Sequence, residues 1–363
     1  MKQRSKESVA KAKSLLSEIQ SLATTPITIM EVCGTHTVAI AKNAIRELLP
    51  TNVRLVSGPG CPVCVTANGD IDCYLYLAGQ KNVITATFGD MIRVPGSEKN
   101  LQQLRAEGAD IRVVYSTPDA LELARQNPGK EVVFLGVGFE TTVPTVAVSL
   151  DIAKREGIRN YSVLSMHKVV PPVLKLLAED DQLVVDAFLD PGHVCSVIGI
   201  EPIKFMAEGY GKPGVVTGFE ALDILEGIVM LLRQRAEGRS DIEIQYRRVV
   251  KPEGNPQAKL VIERVFKPTD ALWRGIGLIP ESGLAIREDY SPWDAARKFS
   301  LPVFNSRETP GCRCGDVLRG IINPTQCPLF AKHCTPMKPV GPCMVSSEGS
   351  CAAYHRYAQR SVD

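Results

Sequence analysis

Eleven cysteines carry most of the chemistry this sequence can offer, and their positions are uneven. Cys33, Cys61, Cys64 and Cys73 lie near the start, Cys195 stands alone, and Cys312, Cys314, Cys327, Cys334, Cys343 and Cys351 crowd the end. The stretch Met1–Gln20 alternates charged and small residues and lacks the apolar centre of an export signal, which predicts a cytoplasmic protein. A reducing compartment disfavours structural disulfides. Cysteines there serve as metal ligands, redox groups or small buried apolar residues.

Glu31-Val32-Cys33-Gly34-Thr35-His36-Thr37 follows a strand-like run and precedes a helical pattern. A thiol at that junction meets helix N–H groups and the positive end of the dipole, which favours the thiolate as ligand or nucleophile. His36 is close enough in sequence to supply a proton or a hydrogen bond. The bland alternative is a strand-end cysteine buried beside a turn glycine. Ser57-Gly58-Pro59-Gly60-Cys61-Pro62-Val63-Cys64 follows the next strand, and its C-x-x-C resembles a thioredoxin-type pair. Gly138-Phe139-Glu140-Thr141-Thr142 ends a later strand. Its functional reading puts Glu140 in a shared cleft as a proton donor or acceptor, and its bland reading makes the threonines helix caps. His167 and His193 also end strands and are candidate cleft residues, whereas Cys73 and Cys195 read as core.

Cys312, Cys327, Cys334 and Cys351 are spaced C-x14-C-x6-C-x16-C, with Cys314 and Cys343 as extras. Neighbouring glycines and prolines let backbone N–H groups turn toward sulfur. Structural zinc favours tight pairs, and only Cys312-x-Cys314 is tight. Wide spacing suits a four-iron cluster. Spacing alone leaves zinc and plain thiols open.

The elements that must position these groups alternate strand and helix. Strand-like runs are Ile27–Val32, Val53–Ser57, Val83–Phe88, Ile111–Tyr115, Glu131–Val137, Tyr161–Met166, Ala187–Leu189 and Val215–Thr217. Helical periodicity fills most gaps, which predicts parallel α/β units. Gly-Phe-Glu recurs at Gly138-Phe139-Glu140 and Gly218-Phe219-Glu220, each between a strand and a helix, and favours two similar units. The expected layout is an N-terminal helix over 1–25 packing on the C-terminal domain, α/β domains over 26–130 and 131–240, and a hairpin with a cysteine-rich domain over 241–363. The hairpin is expected to pair Ile242–Val250 with Ala258–Phe266.

The remaining composition excludes several classes. Of 363 residues, 42 are Lys or Arg and 40 Asp or Glu, so the net charge of +2 offers no field for nucleic acid or acidic membranes. No apolar run is long enough to span a bilayer. No phosphate loop is present, and Gly136-Val137-Gly138 lacks the third glycine of the dinucleotide fingerprint.

Taken in order from near residue 30 to near residue 350, these four motifs resemble the HypD family of hydrogenase maturation factors. The resemblance implies two Rossmann-like domains plus a third holding a [4Fe-4S] cluster on Cys312, Cys327, Cys334 and Cys351. It implies assembly of the Fe(CN)2CO unit of nickel–iron hydrogenases, with a HypC-type small chaperone and cyanide from a HypE-type donor. Cys33 would bind the nascent iron, and Cys61 and Cys64 would be a thiol–disulfide pair. A disulfide reductase resembling ferredoxin:thioredoxin reductase is the alternative; it needs the cluster and the pair but neither Cys33 nor His36. A zinc-stabilised binding module is a third reading.

Overall fold

The computed structural model describes residues 2–180, 182–304, 306 and 308–357. Among these residues eleven strands run in chain order as β1 (Ile27–Glu31), β2 (Val53–Ser57), β3 (Val83–Thr87), β4 (Asp110–Val113), β5 (Glu131–Gly136), β6 (Tyr161–Ser165), β7 (Ala187–Pro191), β8 (Gly214–Thr217), β9 (Ile242–Ile244), β10 (Phe266–Trp273) and β11 (Gly277–Ile286). All eight strand-like runs of the sequence form strands. They are short apolar runs, and the central ones are buried along their length, as parallel strands covered on both faces must be.

Two wholly parallel sheets result, ordered β2-β1-β7-β8-β9 and β4-β3-β5-β6. The chain is not divided between them at residue 130. The four-stranded sheet, residues 83–165, is inserted between β2 and β7 of the five-stranded one. Apolar runs carry no label saying which sheet they join, so the sequence showed two units but not their interleaving.

Two further expectations are corrected. Ala258–Phe266 is not a hairpin strand, because Pro256–Val265 is a helix. Asn255 caps it by accepting from the N–H groups of Gln257 and Ala258, Pro256 takes the first position, and the buried Ala258, Val261 and Val265 follow helical spacing. Ile242–Ile244 instead joins the large sheet beside β8, and the hairpin is β10–β11, immediately downstream. The N-terminal helix, Lys2–Leu22, packs on the helix Ala221–Ala236 rather than on the C-terminal segment, with Arg233 paired to Glu18 at 2.5 Å.

After Trp293 the chain is mostly irregular, with short helices at Cys314–Leu318 and Ser350–Tyr357. Its described residues form no separate core. Cys314, Leu318, Cys343 and Val345 join one cluster with Met30, Val56, Cys64 and Trp273 from the rest of the fold. The final helix lies on Gly34–Lys42, directly behind Cys33. Arg46 clamps this packing. Its guanidinium pairs with the fully buried Glu31 of β1 at 2.8 Å and stacks 5.0 Å from the Tyr354 ring of the final helix.

Candidate functional site

In open parallel sheets, ligands gather beyond the carboxyl ends of the strands where the strand order reverses. Here that point falls between β1 and β7 in one sheet and between β3 and β5 in the other. The two face each other. Their loops line one cleft of about 340 Å³, with Cys33 after β1, His193 after β7, Phe88 and Asp90 after β3, and Phe139, Thr141 and Thr142 after β5.

Cys33 is the N-cap of the helix Gly34–Lys42 and is partly exposed in the cleft wall. The loop after β2 crosses very close behind it: the Gly34 N–H donates to the Gly60 carbonyl at 2.9 Å. A Cβ on Gly60 would lie 2.3 Å from the Cys33 nitrogen, so only glycine allows this approach. Burial, then the nearby Glu348 carboxylate, push the Cys33 thiol up to about 11, against the helix-end N–H groups that lower it. A cation arriving there would offset both effects.

Cys61 and Cys64 are joined as a disulfide at the start of the helix Pro62–Val65. The pair is buried, with Ser346 Oγ 3.4 Å from Cys61 Sγ. The C-terminal segment thus forms part of the cleft. Glu348 accepts from Thr35 Oγ1 at 2.7 Å, and Asp90 accepts from the Ser347 N–H at 3.0 Å and its Oγ at 2.8 Å. Glu348 and Asp90 were not singled out in the sequence. Glu348 sits within Glu348-Gly349-Ser350-Cys351, where the cysteine carries the stronger local signal.

His36 lies outside the cleft lining. It is fully buried, with Nε2 2.9 Å from Thr217 Oγ1 and 3.0 Å from the Gly218 carbonyl, and burial lowers its pKa to about 4. Its ring stacks on Phe219, which stacks on His193 at 3.9 Å. His36 therefore braces the wall that presents His193.

Glu140 does not share the Cys33 cleft with its neighbours. It turns to a separate cavity beside Pro171 and Pro172, where its Oε1 accepts from the Val170 N–H at 2.8 Å and burial raises its pKa to about 7. His167 is also buried, 3.1 Å from Ser165 Oγ through Nδ1, its pKa lowered to about 3 by burial.

The second site is a small cavity of about 20 Å³ lined by Cys312, Cys314, Cys327, Cys334, Cys343 and Cys351, all six C-terminal cysteines, together with Val317, Leu329, Phe330 and Met344. No set of three or more His, Cys, Asp or Glu side chains among the described residues is already spaced to hold a metal ion. The donor chemistry nonetheless suits a soft metal group: thiols converge in an apolar shell. Arg274 enters the same shell although only 2% exposed, with its Nε 3.3 Å from Cys314 Sγ and Nη1 bonded to Asn68 Oδ1. A hydrogen bond from Cys312, then the Arg274 charge, lower Cys314 to about 6 against its burial. Cys312 is pushed up in turn by sharing that hydrogen bond and by burial. Burial pushes Cys343 and Cys351 upward.

Cleft and cavity adjoin. The turn Pro342–Met344 packs on Pro62–Val65, and the Arg274 N–H donates to the Val65 carbonyl at 2.8 Å. The disulfide helix lies between Cys33 and the six thiols. No helix among the described residues is long and apolar enough to cross a membrane.

Comparison with known proteins gives a consistent picture. The HypD family model, described as "Hydrogenase formation hypA family", matches residues 10–358. The chain is 48% identical over 360 residues to the hydrogenase maturation factor HypD of Rhodobacter capsulatus, covering 96% of each protein. It is 46% identical over 348 residues to HypD of Escherichia coli K12, covering 96% of this chain and 93% of that one. HypD of Cupriavidus necator is 44% identical over 338 residues, 91% of this chain and 89% of the relative. The disulfide-reductase alternative finds no support in these matches.

Proposed function

The chain belongs to the HypD family of hydrogenase maturation factors, and from that premise we propose that it is the platform on which the Fe(CN)2CO unit is assembled. The observation that carries the proposal is that one segment serves both sites. Ser346 and Glu348 contact the cleft groups, while Cys343 and Cys351, on either side, line the six-cysteine cavity.

In this reading Cys33 binds the iron cargo in the cleft, and a HypC-type chaperone supplies a second thiolate from its open side. The soft, strongly donating thiolates suit a low-spin iron(II) that takes cyanide and carbon monoxide. A HypE-type donor brings the cyanide. Reduction of the Cys61–Cys64 disulfide takes two electrons and two protons and yields two thiols beside the iron. Asp90 and His193 line the cleft as proton-handling groups, and His36 and Phe219 hold the His193 ring in place. Cys312, Cys327, Cys334 and Cys351 would hold a [4Fe-4S] cluster, with Cys314 and Cys343 in the same lining. Bound there, such a cluster supplies single-electron storage next to the disulfide.

The test is anaerobic co-expression with the two partner proteins, with infrared spectroscopy of the purified complex and iron, sulfide and zinc analysis. Cyanide and carbonyl stretching bands are expected for the native chain and lost in Cys33→Ala. Bands that persist in Cys33→Ala overturn the role of Cys33. A zinc-containing protein without sulfide overturns the cluster.

A further inference from the structure

We propose that Arg274 is the fixed counter-cation of the six-cysteine cavity and sets how readily the metal group held there accepts an electron. The inference rests on the cluster reading above.

A guanidinium removed from water needs a compensating charge nearby. Arg274 is 2% exposed. Its Nε lies 3.3 Å from Cys314 Sγ, and Cys312 lies across Gly341 from its Nη2. Its guanidinium bonds to the Asn68 amide oxygen and to Cys314 Sγ. The compensating charge within its hydrogen-bond reach is therefore cysteine sulfur, and thiolates ligating a metal group supply it.

The backbone is shaped to bring the cation in. Gly275, at φ +69°, and Gly315 pass so closely that a Cβ on Gly275 would lie 2.3 Å from Gly315 Cα. That contact sets the turn after β10 directly against the helix Cys314–Leu318. Around the cavity, a Cβ on Gly341 would lie 3.5 Å from Cys312 Sγ and 3.6 Å from Arg274 Nη2, so both groups border the same space. On its other side Arg274 is tied through its N–H to Val65, one residue from Cys64. The main chain of Arg274 therefore joins the cavity wall to the disulfide helix.

A four-iron cluster on four thiolates is an anion, and one electron from an external low-potential reductant adds a further negative charge with no proton taken up by the arginine. Arg274 keeps its charge throughout. A fixed positive charge favours the more negative, reduced form, so Arg274 raises the midpoint potential.

The experiment is a dithionite titration of anaerobically purified full-length protein, followed by absorption and electron paramagnetic resonance. Four chains are compared at matched iron and sulfide content: native, Arg274→Gln, Arg274→Lys and Asn68→Asp. Arg274→Gln removes the charge. Asn68→Asp keeps the arginine but neutralises its field with no change of volume, so the proposal stays testable if the first variant does not fold. Both are expected to move the midpoint to more negative potential, while Arg274→Lys stays closer to the native value. An unchanged midpoint in Arg274→Gln or Asn68→Asp overturns this inference alone. A native protein without iron and sulfide overturns the cluster reading, and this inference with it.

Discussion

Arg46→Met tests the clamp that seats the C-terminal segment behind Cys33. The substitution keeps much of the side-chain stem but removes the cation from Glu31, which is fully buried, 2.8 Å from Arg46, and accepts from Ser57 Oγ at 2.8 Å. Breaking one partner of a buried pair costs about 3 kcal/mol at the low end of the usual range. At ~2.1 cal/mol/K per residue, the unfolding entropy of this 363-residue chain is ~0.8 kcal/mol/K, so the melting temperature should fall by about 4 °C. The loss has a pH signature. Burial already raises Glu31 above its ordinary value of 4.5, against the Arg46 charge, and without that charge it rises further. A carboxyl raised in the folded state contributes stability that is fully present below 4.5 and lost as pH climbs through its folded value. The variant should therefore lie nearest the native protein in acid and fall furthest behind at alkaline pH. Adding Glu31→Gln should recover more than half of the loss and flatten the pH dependence, because an apolar or neutral pair replaces an orphaned charge. The assay is thermal unfolding followed from pH 4.5, the ordinary carboxyl value, upward into alkaline pH. A penalty under about 1 °C, or one that does not change with pH, would refute the reasoning.

Other perturbations reach the cleft directly. Gly60→Ala forces a methyl against the Cys33 backbone and should cost about 2–3 kcal/mol while changing how Cys33 reacts with iodoacetamide; a native-like melting curve and labelling rate would contradict the close approach. Glu348→Gln keeps an acceptor for Thr35 but removes the charge that helps hold Cys33 at about 11, so labelling at pH 8 should rise about threefold or more, read by peptide mass spectrometry. His36 and His167 are buried neutral, at about 4 and about 3 against 6.5 when exposed. Depressed values mean their stability is present above pH 6.5 and lost as pH falls toward those folded values, so His167→Gln should flatten the acid limb of a stability–pH curve.

Much of this was legible in the sequence because strand ends carry chemistry at fixed places. Cys33 and the glycine-rich C-x-x-C loop could be placed after β1 and β2 from local pattern alone, and both lie beside the cleft. Glu140 could not be aimed from pattern. It stands between Phe139 and Thr141, which face the cleft, and successive residues in a loop point different ways. Glu348, Asp90 and Arg274 were invisible for another reason: each works through a partner far along the chain, Thr35, Ser347 and Cys314 respectively. The helix at Pro256–Val265 carries its cap in Asn255-Pro256, but the polar–apolar alternation of Ala258–Phe266 fits a strand equally well, so local pattern does not decide between them.

The insertion of one sheet within the other has a consequence for the order of events as the chain is made. The strands within residues 83–165 pair with one another apart from a single bridge from Val163 to Asp294, so nearly all of their sheet pairing is available before β7 is made. Strand β1 must wait for β7, more than 150 residues later, before its second edge is covered. The Cys33 loop therefore stays unframed until His193 has been synthesised, and the wall contributed by Ser346 and Glu348 closes last. A nascent chain stalled before its final segment would hold Cys33 in a half-built cleft, with no thiol cavity beside it and one whole side open to solvent.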